Sequence, residues 1–368
     1  MMCAVVYLSA KLGQVSGKGL FHVIRDNYPR WILYPALIGV LIGNVIEAGA
    51  DIGGMAAAVQ VLVPIPLALI IIPVSFAIFA LQLWGSYTLI RNIFRWLAVT
   101  LLAYVGSAIL AKPDWLGVIK GTLVPSIKFN QQFLSLLVAV IGTTLSAYLY
   151  TWESNQEVEE EIAMGRRRLV DRAGATKKEL RETKIDVVLG MFFSNVVMYF
   201  IILSTAATLF KSGLHEINTA ADAAQALGPL VGRAASVLFA VGVIGVGFLA
   251  VPVMTTGAAY SLSQVVGWKH SLHAKPSEAK KFYAAIGVFT VIAMGLNFLG
   301  FNPMKALVYS GIVQGFSTPP LLLLIMLMTN NRRIMGPRVN SRSMNVLGWI
   351  TTVAIFAATI GLVASWFF

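Results

Sequence analysis

The chain has 368 residues, of which 57% are apolar and only 12% are charged. Soluble globular domains are about 45–50% apolar and about 25% charged, so this composition excludes most soluble enzyme folds and predicts a polytopic membrane protein. The net charge of +12 fits cationic cytoplasmic loops, and we expect no nucleic-acid partner. The single cysteine, Cys3, has no intrachain partner for a disulfide.

A helical span needs about 20 mostly apolar residues. The sequence contains nine such segments, so we predict an all-α bundle that forms one transmembrane domain over residues 1–368. The predicted spans are 32–63, 65–83, 96–111, 133–150, 187–210, 234–262, 282–299, 304–329 and 344–367. Residues 1–10 are apolar but too few to cross a bilayer, and we expect them to end a span whose start is missing. The bundle is therefore predicted to be N-terminally incomplete.

The cationic residues predict the orientation of the spans. Of the 28 Lys and Arg residues, 22 lie in connections that alternate with cation-poor ones. The cation-rich connections are 11–30, 84–95, 151–186, 263–281 and 330–343. Because such loops face the cytoplasm, we predict a multi-pass protein of the cell (inner) membrane with its C-terminus outside. The charged cytoplasmic loop 151–186 is expected to form a solvated helix pair, or alternatively to regulate or gate the protein.

Two carboxylates fall well inside one predicted span. Glu47 and Asp51 are four residues apart and share one helix face. Carboxylates are costly in lipid, so we predict that they carry protons or hold a cation. The alternative is a protonated carboxyl that is hydrogen-bonded in a packed helix interface.

The predicted span at 133–150 contains a second anomaly. Its apolar helix meets Gly142, Thr143, Thr144 and Ser146 before it resumes at Tyr148. Glycine and clustered hydroxyls allow backbone carbonyls to leave the helical ladder. Broken spans of this type expose carbonyls and helix ends around an ion near the membrane midplane. Alternatively, the cluster serves helix packing only.

The sequence does not match the common catalytic motifs. The glycine-rich stretch 13–19 lacks the spacing and the Ser/Thr of a phosphate loop. The sequence also has no nucleophile elbow, HExxH motif or paired metal-binding histidines. We therefore expect neither catalysis nor a resident cofactor.

Several stretches together resemble the natural resistance-associated macrophage protein (NRAMP) family of metal transporters. They are SAKLGQVSGKGL (9–20), EAGADIGGMAAA (47–58), GTTLSAYLY (142–150) and KALVYSGIVQGFSTPP with NNRRIMG (305–336). The resemblance covers nearly the whole chain and implies a LeuT-like fold, in which two inverted five-span repeats bind the substrate where their first spans unwind. In the family numbering of spans, the segment at 133–150 is then the sixth.

The sixth span departs from the family pattern. Ser146 and Tyr148 stand where classical members have a metal-binding Met and a His, and Glu153 stands where a second His lies. The resemblance implies that Thr143 offers a backbone carbonyl to the metal and that Thr144 and Tyr148 line the substrate site. A hydroxyl is a harder ligand than a thioether, so the change favours Mg²⁺ or Mn²⁺ over soft metals.

The third span also departs from the family. Asp51 keeps a family acid of the proton pathway, whereas Asn44 replaces a neighbouring acid and Glu47 is additional. The loss of both sixth-span histidines and of third-span acids argues against proton coupling in this chain. The sequence resembles the divergent NRAMP-related branch that includes magnesium transporters.

These observations predict a transporter of divalent metal cations that works by alternating access. We expect Thr143 and Ser146 at the metal site, and Asn44, Glu47, Asp51 and Glu153 along the ion or proton pathway. Two alternatives remain open at this stage. One is a cation-coupled symporter of organic substrates on the same fold, and the other is a truncated protein that no longer transports.

Overall fold

The computed structural model describes residues 2–84, 101–124, 126, 128–228 and 234–367, and its regular secondary structure is helical throughout these ranges. The α-helices are α1 (Met2–Ser16), α2 (Leu20–Asn27), α3 (Arg30–Leu62), α4 (Leu67–Trp84), α5 (Ala103–Leu110), α6 (Trp115–Leu123), α7 (Gln131–Thr144), α8 (Ala147–Ala163), α9 (Leu169–Arg172), α10 (Lys177–Thr205), α11 (Ala220–Ala224), α12 (Ala235–Val266), α13 (Lys280–Leu296), α14 (Pro303–Asn330), α15 (Arg332–Met335) and α16 (Arg342–Ala364).

Most predicted spans correspond to long apolar helices. Among the described residues, seven segments are long and apolar enough to cross a membrane. They are Arg30–Leu62, Gln131–Ala163, Lys177–Phe210, Ala235–Val266, Lys280–Leu299, Pro303–Asn330 and Arg342–Ala364. The predicted span at 65–83 forms the shorter helix α4. The predicted span at 96–111 lies partly outside the described residues, and its described part contains α5.

Local sequence signals set several helix ends. Asn302 accepts hydrogen bonds from two backbone amides at the start of α14, and Pro303 occupies the first helical position. Thr176 and Glu179 form a capping box at the start of α10. Gly267 adopts a left-handed conformation (φ 82°) after the last turn of α12, which favours glycine at that position.

The centre of the bundle is the close packing of α3 against α12 and α14. Small residues make this approach possible: a side chain at Gly247 of α12 would collide with Met55 of α3, and one at Gly43 of α3 would lie 3.0 Å from the Gln314 side-chain oxygen of α14. Many large apolar side chains on the long helices are exposed in the isolated chain. Such a surface is expected where lipid replaces water.

The described cation-rich connections meet at one end of the bundle. The Arg172 guanidinium donates to the Gly17 carbonyl over 2.8 Å, that of Arg25 donates to the Gln264 carbonyl over 2.6 Å, and that of Arg338 donates to the Ala175 carbonyl over 2.9 Å. We call this end the cationic face. The cation-poor connections meet at the other end, where the Asn302 amide donates to the Asn218 carbonyl over 3.0 Å.

The charged segment 151–186 consists mainly of helix ends. Its first part continues α8 to Ala163, and its last part is the first three turns of α10. Arg166 joins the two parts, because its guanidinium contacts Glu161 and Glu179 together. The segment is therefore a pair of helix ends held across a short connection at the cationic face.

Candidate functional site

The sixth family span is broken where the sequence predicts it. Helix α7 ends at Thr144, and α8 begins at Ala147. Between them, Leu145 has φ −121° and ψ 38°, and Ser146 has φ −60° and ψ 145°, so neither continues a helix. Two residues thus separate two half-helices inside one membrane-length segment. The last carbonyls of α7 lose their backbone donors at this point.

The Ser146 side chain replaces part of the missing hydrogen bonding. Its hydroxyl is buried and donates to the Gly142 carbonyl, with a longer contact of 3.2 Å to the Thr143 carbonyl. A carbonyl oxygen has two lone pairs, and a donating hydroxyl keeps its own lone pairs. The Thr143 carbonyl and the Ser146 oxygen can therefore both accept a further interaction.

A residue of α14 donates a hydrogen bond to the residues that separate α7 from α8. The Thr318 hydroxyl donates to the Leu145 carbonyl over 2.9 Å, and Thr318 is fully buried. Helices α7 and α14 lie so close together at Gly142 that a Cβ there would overlap the Gly311 carbonyl. The break is therefore held against α14.

The same helix connects the break to the polar residues of α3. Gln314 lies one turn before Thr318 and is also fully buried. Its amide donates to the Asn44 side-chain oxygen over a long 3.4 Å, and Asn44 donates to the Met254 carbonyl of α12 over 3.2 Å. Gly43 leaves room for the Gln314 side chain, since a Cβ there would lie 3.0 Å from its oxygen.

The two acids of α3 have different surroundings. Glu47 is 6% exposed, and its Oε2 has no hydrogen-bond partner among the described residues. Asp51, one turn further along, lines a cavity of about 350 Å³ together with Tyr104 of α5 and Ser194 of α10. Glu47 is thus enclosed in the helix interface, whereas Asp51 borders a larger space with a mainly apolar lining.

The remaining predicted residues lie near the break but differ in role. The Thr143 side chain is exposed, and the Thr143 and Thr144 hydroxyls both donate back to carbonyls of α7. The group that Thr143 can offer to an ion is therefore its backbone carbonyl. Tyr148 is half-buried against the apolar core between α3 and α12. Glu153 is half-buried two turns beyond the break on α8.

Sequence reasoning missed Gln314 and Thr318 as individual residues. Both fall inside a quoted family motif, and an amide between Gly311 and Gly315 in an apolar span was the available signal. Polar groups of this type in spans usually find partners across a helix interface. The partners themselves depend on the packing of α14, which the sequence does not show.

These features define a class of protein: a multi-pass helical bundle in which one span unwinds near buried carboxyl and amide groups is the architecture of secondary transporters. The family model for natural resistance-associated macrophage protein-like proteins matches residues 1–365. The chain therefore belongs to the NRAMP family.

Named relatives and solved structures agree with this assignment. The chain is 29% identical to the divalent metal cation transporter MntH of Bacillus subtilis, over 100% of this chain and 83% of the relative. It is 28% identical to MntH of Deinococcus radiodurans, over 97% of this chain and 78% of the relative. A crystal structure of the Eremococcus coleocola manganese transporter superposes with a TM-score of 0.70 at 20% identity, covering 99% of this chain and 77% of that one. The fold is thus the LeuT-like bundle of NRAMP transporters, as predicted.

Proposed function

We propose that this protein transports divalent metal cations across the membrane by alternating access at the break between α7 and α8. The observation that carries the proposal is the two-residue break at Leu145 and Ser146, which exposes carbonyl and hydroxyl oxygens next to buried groups of α3 and α14. Family membership and the names of the relatives point to the same substrate class. The metal is cargo, and the proposal includes neither a resident cofactor nor a catalysed reaction.

The proposed metal ligands are the Thr143 carbonyl and the Ser146 hydroxyl oxygen. Both are hard oxygen donors, which suit Mg²⁺, Mn²⁺ or Fe²⁺ better than soft metals. The C-terminal end of α7 also carries partial negative charge that favours a cation. We add the Gln314 side-chain oxygen as a neighbouring group, since α14 holds it between the break and α3.

The proposed pathway runs along α3 and out along α8. Asn44 and Glu47 lie where α3 packs against Gln314 of α14, and Asp51 borders the larger cavity. On the other side of the break, Glu153 would receive the ion on its way out, while Thr144 and Tyr148 line the route. Proton coupling is not required by this arrangement.

The proposed orientation places the cationic face in the cytoplasm of the cell, with the C-terminus outside the inner membrane. Four of the five cation-rich connections have described residues at this face, as the positive-inside bias requires. In this proposal residues 1–368 form a single transmembrane domain, and 151–186 is its charged cytoplasmic segment. The alternatives of an organic-substrate symporter or an inactive relic are not favoured by the relatives.

Uptake into proteoliposomes tests the proposal. The protein expressed from its own gene is reconstituted, and uptake of Mn²⁺ and Mg²⁺ is followed with a pH dye inside. Ser146→Ala should lower uptake roughly tenfold, because the ion loses the hydroxyl oxygen that is proposed as its ligand. Ser261→Ala is the matched control, since its buried hydroxyl donates within α12 to the Gly257 carbonyl over 2.8 Å. Equal uptake by the two variants, or no uptake of any divalent metal, would contradict the proposal.

A further inference from the structure

Two buried polar contacts join the second half of the broken span to the end of α12. Asn155 and Glu159 lie one turn apart on α8, and Tyr260 and Gln264 lie one turn apart on α12. All four side chains are at most 5% exposed. Since residues four apart share a helix face, each helix presents a matched pair to the other.

The first contact joins three helices. The Gln264 amide donates to the Asn155 side-chain oxygen, and the Gln264 side-chain oxygen accepts from the His22 backbone amide of α2 over 3.2 Å. A Cβ at Gly19, just before α2, would overlap both Asn155 and Gln264. The N-terminal end of α2 therefore closes over this contact, and a larger residue at position 19 would displace it.

The second contact is a carboxylate with three donors. The Tyr260 hydroxyl donates to Glu159 Oε1 over 2.7 Å, and the Ser271 hydroxyl donates to Oε2 over 2.7 Å. The Leu272 backbone amide adds a longer bond of 3.3 Å to Oε1. Hydrogen bonds to a charged acceptor are stronger than neutral ones, so Glu159 fixes α8 to the loop after α12.

We propose that these two contacts form a latch that closes the cationic end of the transport path and must separate when α8 moves. Helix α8 begins at the break, so it can swing about Leu145 and Ser146 without bending elsewhere. Its far end also packs against α1, and Arg166 joins it to α10. Asn155 and Glu159 supply its side-chain hydrogen bonds to α12 and to the loop that follows α12. The latch rests on the proposed function, because it assigns the closed state of that same transport cycle.

The chemistry of the latch suits repeated opening. A cavity of about 50 Å³ lies at the junction, bordered by Val158, Asn155, Glu159 and Tyr260. Its size and polar lining suit water, which can replace the lost donors as the contacts separate. Apolar packing has no such substitute, because its surfaces would become exposed to water on opening.

Cysteine labelling tests the latch in the whole protein. Cys3 is the only cysteine, so Cys3→Ser with Val158→Cys gives one reporter at the junction. Its reaction rate with a membrane-impermeant maleimide, added to either face of sealed vesicles, measures how often the junction opens. Tyr260→Phe should raise the rate roughly tenfold from the cytoplasmic face, as one charge-assisted hydrogen bond is lost.

The control is Tyr150→Phe, which removes a hydroxyl of the same half-helix that is buried and has no partner among the described residues. Its rate should equal that of the parent. Ser271→Ala removes the other side-chain donor to Glu159 and should raise the labelling rate as Tyr260→Phe does. If Tyr260→Phe does not fold, the labelling rate of Ser271→Ala is the test of the latch.

The outcomes separate the latch from the proposed function. Equal rates for Tyr260→Phe, Ser271→Ala and Tyr150→Phe would overturn the latch, even if metal uptake falls. A faster rate seen only from the extracellular face would support the latch and refute the proposed orientation. Faster labelling in a protein that takes up no metal would show that the two contacts restrain α8, but it would refute the transport proposal and with it the role of the latch in a transport cycle.

Discussion

Removing the Thr318 hydroxyl should destabilise the protein through the break in the sixth span. Thr318→Val keeps the shape of the side chain but deletes the donor that lies 2.9 Å from the Leu145 carbonyl. Thr318 is fully buried and Leu145 is 8% exposed, so water has little access to the acceptor. An acceptor left unsatisfied in this way costs about 1–3 kcal/mol. The free energy of unfolding should fall by that amount.

Equilibrium unfolding in mixed micelles measures this change. Thr290→Val is the matched control, because the Thr290 hydroxyl donates over 2.9 Å to Ile286 of its own helix, where the backbone amide bonds the same carbonyl. The control should change the free energy of unfolding by less than about 1 kcal/mol. If the two variants lose the same free energy of unfolding, the hydrogen bond from Thr318 does not stabilise the break. The argument for a site assembled from α7, α8 and α14 then fails.

Three further predictions concern the ion site and pH. Ser146→Met should raise Cd²⁺ uptake relative to Mg²⁺ uptake several-fold, because a thioether is a soft ligand, and an unchanged ratio would show that Ser146 does not face the ion. Asp51→Asn should lower metal flux per folded molecule more than Asn44→Ala does, and equal effects would argue against Asp51 as a pathway acid. Burial lowers the pKa of His22 to about 4, so the unfolded chain takes up its proton first on acidification. The melting temperature should therefore fall between about pH 6.5 and pH 4, and less so in His22→Gln; equal slopes would contradict this.

The break itself was predictable from sequence chemistry. Gly142 and the hydroxyls that follow it indicated a disrupted helical ladder, and the structure confirms the disruption at Leu145 and Ser146. The reason is local: Ser146 bonds carbonyls three and four residues before it, and such contacts are visible in a linear sequence. Glu47 and Asp51 were likewise recognisable, because a carboxylate in an apolar span needs no structure to be noticed.

Long-range partners were not predictable in the same way. Gln314 and Asn44 are 270 positions apart, and the pairing depends on how closely α14 approaches α3 at Gly43. The bounds of the spans were less accurate, since α8 continues without interruption from the predicted span to Ala163 through the charged residues that were expected to form a separate helix pair. Charged side chains do not end a helix, and contacts at the cationic face stabilise this one.

The most direct test of the account is to locate the transported ion. Crystals or particles of the protein loaded with Mn²⁺ would be measured for anomalous scattering or ion density. The account predicts an ion within coordination distance of the Thr143 carbonyl and the Ser146 hydroxyl oxygen, with Gln314 or water completing its shell. An ion bound elsewhere along α3, with the break empty, would contradict the central claim.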